Sequence, residues 1–105
     1  MVPPVFDPST CRFGIYPTLP GKPWLSHGSN NSEVGYLESV LNCKFNQNCY
    51  DVHAPPGPWY FGTSTITAVE NAQRWAKIYV DPSFVVDGVV GPQTWGLIDD
   101  AATWP

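Results

Sequence analysis

Three observations predict an all-α fold, a small bundle of three short helices with glycine-rich connecting turns and an extended proline-rich arm in front. The first is the stretch Asp87-Gly88-Val89-Val90-Gly91-Pro92-Gln93-Thr94-Trp95-Gly96-Leu97-Ile98. Gly88 and Gly91 can adopt the positive φ of a tight double turn, Pro92 suits a first helical position, and Trp95 and Ile98 fall on one helical face. The second is a weaker copy of it: Phe61-Gly62 followed by Thr65 repeats the spacing of Val90-Gly91 followed by Thr94. The third is the apolar stripe Val34, Leu37, Leu41, widened by Val40, which has helical and not strand period.

Taken in order, residues 1–24 hold Pro3, Pro4, Pro8, Pro17, Pro20 and Pro23, which deny helix and interrupt a strand ladder. Yet Val5, Phe6, Phe13, Ile15, Tyr16 and Trp24 make this arm too apolar for a solvated tail, so it is expected to lie across the domain or dock on another protein. The domain proper is placed at 25–105. Its first helix should begin near Ser32 or Glu33, with cap oxygens from Asn30, Asn31 and Ser32. A long connection leads on to Tyr60, and within it Ala54-Pro55-Pro56-Gly57-Pro58 can hold only turn or polyproline conformation. Helix two is predicted over about 64–78, capped by Thr63 or Ser64. Ile66, Val69, Ala72 and Ala76 should face inward, and Glu70, Asn71, Arg74 and Lys77 outward. Trp75 and Tyr79 extend its apolar face, and Pro82 stops it. Helix three is predicted over about 92–99, with Phe84, Val85, Val86 and Val89 covering the gap between helices two and three.

A chain of 105 residues builds one domain, and at 43% hydrophobic against 13% charged it must rest on aromatic and aliphatic burial. A formal charge of −4 with five Lys and Arg argues against nucleic acid, because a polyanion needs a basic stripe. No apolar run approaches the roughly 20 residues of a membrane span, and the start lacks the pattern of a secretory signal. Of the three cysteines, Cys43 and Cys49 form the natural disulfide pair, with three thiols as the alternative. A zinc site drawn through Cys43, Cys49 and His53 matches no ligand spacing, so neither metal nor cofactor is expected.

Catalytic candidates are few. His27 reads as a loop residue, and His53 lacks partner spacing for zinc hydrolysis. Asp99-Asp100 reads as a solvated helix end, Trp95 as core, and Thr65 and Thr94 as hydroxyls that satisfy local amides. The chain is therefore expected not to be an enzyme. Ligand candidates are Trp59 and Tyr60, whose ring faces can stack on pyranose rings and N-acetyl methyls, with Gln73 and Arg74 as amide and carboxylate partners. Asp87 could bond a sugar hydroxyl or peptide amide, although an Asp-Gly pair commonly forms its own turn.

Leu25-Ser26-His27-Gly28-Ser29 with Val34, Leu37 and Leu41 resembles the opening of the small peptidoglycan-binding domain family. Phe61-Gly62 with Thr65, Ala68, Val69 and Gln73 resembles that family's second helix, and Asp87 to Gly91 with Thr94, Trp95 and Ile98 its third. Order and spacing agree over about residues 25–99. Departures are Asn31 in place of a common glycine, Glu38 in place of glutamine, and Ala72 in place of an aromatic that Trp75 could replace in volume. Ser26-His27-Gly28 also resembles the Ser-His-Gly of peptidoglycan transpeptidases, but Ser29 stands where the attacking cysteine would be. The resemblance implies a non-catalytic cell-wall binding module that anchors its carrier to murein through glycan or stem peptide. The alternative expectation is a bacteriophage virion structural or decoration protein, docked on capsid or tail proteins through the arm. Either places the chain outside a cell, on a virion surface or at the bacterial cell wall, reached without its own signal peptide.

Overall fold

The computed structural model describes residues 6–7, 12–13, 23–30, 32–47, 49 and 60–104. Helix α1 runs Ser32–Lys44, α2 Thr63–Tyr79 and α3 Pro92–Ala101. An all-α domain is what the apolar spacing predicts, and of the residues it directs inward Val34, Leu37, Leu41, Val69, Ala72 and Ala76 are buried, Ile66 is half-buried and Tyr79 is exposed. Val34, Leu37, Val40 and Leu41 of α1 meet Val69, Ala72 and Ala76 of α2 and Trp95 and Ile98 of α3 in a single core. Both α2 and α3 pack against α1. No helix among the described residues is long and apolar enough to cross a membrane.

The arm holds one departure from expectation. Backbone at β1 (Phe6–Asp7) pairs antiparallel with β2 (Arg12–Phe13), Phe6 opposite Phe13 and Asp7 opposite Arg12. The ladder falls where prolines leave room for it, between Pro4 and Pro8 and after Pro8. Where the arm meets the domain, Trp95 Nε1 donates to the Pro23 carbonyl at 2.9 Å and so ties Pro23 to α3.

Residues 25–30 form a strap across the N-terminal ends of α2 and α3. Leu25 and Val90 exchange both backbone hydrogen bonds, at 3.0 and 2.8 Å, while Gly28 N–H donates to the Phe61 carbonyl and Phe61 N–H to the Ser29 carbonyl, each at 2.9 Å. The sequence repeat is a structural repeat. Gly62 caps α2 at φ −103°, ψ −164°, and Gly91 caps α3 at φ −104°, ψ −165°. Neither cap uses a side-chain bond, so Thr63 and Ser64 do not cap α2 as predicted; the strap fixes Phe61 and leaves the adjacent glycine as the cap. Asn31, offered as a cap of α1, lies outside the described residues.

Gly88 has the expected positive φ, +73°, but Gly91 does not. It lies beneath the Trp24 ring instead: a Cβ there would lie 2.9 Å from the outer edge of that ring, which is 67% exposed and has room to shift. Thr65 and Thr94 reach across helices instead of to local amides, Thr65 Oγ1 donating to Glu38 Oε2 at 2.6 Å and Thr94 Oγ1 accepting from Gln73 Nε2 at 3.0 Å. Asp99 is likewise no solvated side chain, since it accepts the Tyr36 hydroxyl at 3.0 Å. Phe84 closes the gap between α2 and α3, whereas Val85 is exposed.

The Cys43–Cys49 disulfide does not form. Cys43 is disulfide-bonded, but Cys49 is a buried thiol whose Sγ lies 3.1 Å from Asn42 Oδ1. Asn42 also takes the Cys49 N–H at 2.8 Å, so one asparagine engages both the backbone and the thiol of Cys49 within the core. Cys11 lies outside the described residues.

Gln73 is fully buried. Its Nε2 donates to Asp87 Oδ1, the Val89 carbonyl and Thr94 Oγ1 at 3.0–3.1 Å, and its Oε1 accepts from Asp87 N–H and Gly88 N–H at 3.1 and 3.0 Å. Gln73→Ala should therefore lower stability by at least about 3 kcal/mol in chemical denaturation, because several buried groups lose their partners. Gln73→Glu should be similarly destabilising at pH 7, since the introduced carboxylate faces two acceptor oxygens. Burial and those oxygens raise its folded pKa above the unfolded value of about 4.3, so the deficit should grow as pH rises from about 4.3 through the folded value and shrink as pH falls back toward about 4.3.

Past the end of α2, Asp81 Oδ1 accepts the Ser83 N–H at 2.9 Å and its hydroxyl at 2.8 Å. The backbone bond first and the hydroxyl second hold the carboxyl below its ordinary 3.8. A group lowered on folding favours the turn above the unfolded value and loses that effect as pH falls through the folded one. An NMR titration of the Ser83 amide should accordingly show its midpoint below 3.8.

Candidate functional site

The exposed concavity lies at the C-terminal ends of α1 and α3, on the side of α2 that carries Asn71 and Trp75. It encloses about 340 Å³ and is walled by Phe45, Trp75 and Trp104, with Lys44, Gln47 and Asn71 along its polar side. Local chain geometry delivers each of these. Helix α1 ends with Asn46 in the left-handed region at φ 54°, a conformation asparagine tolerates at helix C-termini. The Phe45 and Gln47 amides both return to the Leu41 carbonyl, at 3.1 and 3.2 Å, which turns those side chains back over the helix.

Beyond α3 the chain coils tightly, Thr103 N–H donating to the Asp100 carbonyl and Trp104 N–H to the Ala101 carbonyl at 3.0 Å each. This returns Trp104 to the bundle. Its Nε1 lies 3.3 Å from Asp100 Oδ2, and its carbonyl accepts the Lys44 ammonium. Trp75 stands between Asn71 and Tyr79, four residues to either side, so the three share one face of α2.

The aromatic walls touch at angles. Ring centroids lie 5.3 Å apart for Trp75–Trp104, 5.4 Å for Phe45–Trp104 and 5.6 Å for Phe45–Trp75, with interplanar angles of 55°, 57° and 78°. Such tilts make a corner instead of a flat stack. Along the rim, Asn71 Nδ2 donates to Gln47 Oε1 at 3.0 Å and Gln47 Nε2 to the Phe45 carbonyl at 2.8 Å. Asn71 Oδ1 accepts from Arg74, whose guanidinium also lies 3.9 Å from Glu70. None of the walling residues is a carboxylate.

The residues singled out in the sequence do not converge here. Trp59 and His53 lie outside the described residues. Tyr60 is half-buried, bridged to Asn30 and edge-on to His27 with centroids 6.1 Å apart. Gln73 presents no surface to a ligand, because its amide is engaged inside the fold. Asp87 is exposed, but its Oδ1 accepts from Gln73 and from Val89 N–H at 3.0 Å, forming the turn that an Asp-Gly pair favours. Arg74 is exposed and borders the concavity through Asn71. Sequence reasoning does not single out Phe45, Gln47 or Trp104, and it assigns Asn71 only to the solvent face. The usable signal is the phase of Asn71, Trp75 and Tyr79 on helix two.

Among the described residues, no three His, Cys, Asp or Glu gather as a metal site. Compared with known proteins, the chain matches no family model, no curated protein and no solved structure.

Because the rings support one another, Trp75→Ala and Trp104→Ala should each cost about 2 kcal/mol, less than for a fully buried tryptophan. The double variant should fall short of additivity by about 1 kcal/mol in a denaturation cycle.

Proposed function

We propose that this chain is a non-catalytic module that binds the peptidoglycan of bacterial walls, and that the Phe45–Trp75–Trp104 concavity is its binding site. The observation that carries the reading is the composition of that concavity: aromatic faces meet side-chain amides on a rim without carboxylates. Aromatic rings stack on the apolar faces of sugars, and amides bond their hydroxyl and acetamido groups. The resemblance of residues 25–99 to the small peptidoglycan-binding domain family supports the same reading independently. Arg74 contributes by holding the Asn71 carbonyl, which leaves the Asn71 amino group directed to the rim.

A half-open site of this size binds weakly, so anchoring relies on many repeats of the polymer and on several copies of the module. The chain should co-sediment with purified, protein-free murein sacculi, and Trp75→Ala should reduce the bound fraction at least tenfold while its melting curve remains cooperative. Recovery equal to that of an unrelated domain of similar acidity would remove the reading.

A further inference from the structure

The aromatic surface does not stop at the concavity. Tyr79 lies one turn further along α2, its ring centroid 5.4 Å from that of Trp75 at an interplanar angle of 42°, and it is 70% exposed. At that exposure burial contributes little, and the ring contact of Tyr79 is with Trp75. Trp104, after α3, touches Trp75, and Trp75 touches Tyr79, so the three rings are in successive contact, the first two cornered and the third open.

From this run we infer that the site takes the glycan strand and not the stem peptide, with two successive sugars engaged. One N-acetylated pyranose fills the corner of Trp75 and Trp104, and its neighbour lies on the face of Tyr79. The inference rests on the wall-binding reading and names which part of the polymer is held.

Hydrogen-bonding capacity fits an acetamido group. A side-chain amide has two N–H donors and a carbonyl with two acceptor positions. Asn71 Nδ2 gives one N–H to Gln47, and Gln47 Nε2 gives one to the Phe45 carbonyl, so each retains a second donor on the rim. A stem peptide asks for different chemistry, because its carboxylates require cations. The lining carries a single cation, Lys44, beside three aromatic rings and three side-chain amides, a balance that suits an uncharged sugar better than a peptide with several carboxylates. A proline-rich peptide would be served by parallel aromatic ridges, whereas these rings meet at 55° and 57°.

The test titrates the full chain, by tryptophan fluorescence and calorimetry, with N-acetylglucosamine, its β-1,4-linked disaccharide and trisaccharide, a soluble murein stem pentapeptide and a proline-rich peptide. The disaccharide should bind at least fivefold more tightly than the monosaccharide, with little further gain for the trisaccharide. Tyr79→Ala should abolish that gain, and Trp75→Ala should weaken every saccharide at least tenfold. Lys77→Ala, on an exposed position away from the concavity, should bind as the parent does. Tyr79 is exposed enough that its variant remains folded, so the test does not depend on the Trp75 variant.

Binding of either peptide in place of the saccharides would overturn the inference, as would a disaccharide gain that survives Tyr79→Ala. Sacculus binding with no response to any saccharide would overturn it while leaving the wall reading intact. Saccharide binding without sacculus binding would support the glycan corner and overturn the wall reading.

Discussion

One buried amide holds the second half of this domain in register. Helix α1 supplies the surface against which both other helices pack, and α2 is joined to α3 through Gln73. Its two N–H groups are shared among three acceptors and its carbonyl oxygen between two backbone donors, which fixes the turn 87–89 and the first turn of α3 together. In a low-dielectric interior such a network is strong when complete and costly when any member is missing. The packing of α3 on α1 depends on it: Trp95, one residue past Thr94, stacks on Tyr36 of α1 with centroids 6.2 Å apart, and Tyr36 in turn bonds Asp99.

The same device occurs twice with opposite polarity. A side chain of α1 reaches the threonine in the first turn of α2, and a side chain of α2 reaches the threonine in the first turn of α3. Each threonine lies three residues past its capping glycine, and the two glycines share one backbone conformation. Where the reaching group is Gln73 it donates and the hydroxyl accepts. Where it is Glu38 the Thr65 hydroxyl donates to the carboxylate, the arrangement open to it when the carboxylate carries no proton. The carboxylate at position 38 is thus met by rotation of one hydroxyl.

Periodicity made the helices legible, because an apolar stripe reports burial directly. Val34, Leu37, Leu41, Val69, Trp95 and Ile98 are inside for the reason their spacing suggests. Glycine was legible as punctuation but not in its cause. Gly88 needs its backbone conformation, while Gly91 lies beneath the ring of Trp24, and a contact between residues so distant in sequence has no local signature. The cysteine pairing failed on the same ground: proximity in sequence favoured Cys43 with Cys49, but Asn42 holds the Cys49 backbone and thiol in the core. The concavity was hidden because its walls come from a helix end, a helix middle and the coil after α3. Only the Asn71–Trp75–Tyr79 phase on α2 could be read in one dimension. Gln73 was read with the right chemistry and the wrong partner, since an amide that suits a ligand equally suits a turn.

The division of the molecule reflects where polar groups are already committed. At the end where α2 and α3 begin, the strap 25–30 bonds the backbone of Val90 and Phe61, and the buried side chains Glu38, Thr65, Gln73 and Thr94 bond one another or the turn, with Ser64 Oγ left as a buried atom without a partner. A ligand there would have to displace bonds that keep the helices in place. At the other end of α3 the chain leaves amides with capacity to spare beside rings that are only partly covered. A binding function placed at that end can vary its contacts without disturbing Gln73, whereas one placed at the glycine corners could not. For this reason the concavity, and not the glycine corners, is the part of the surface best suited to recognition.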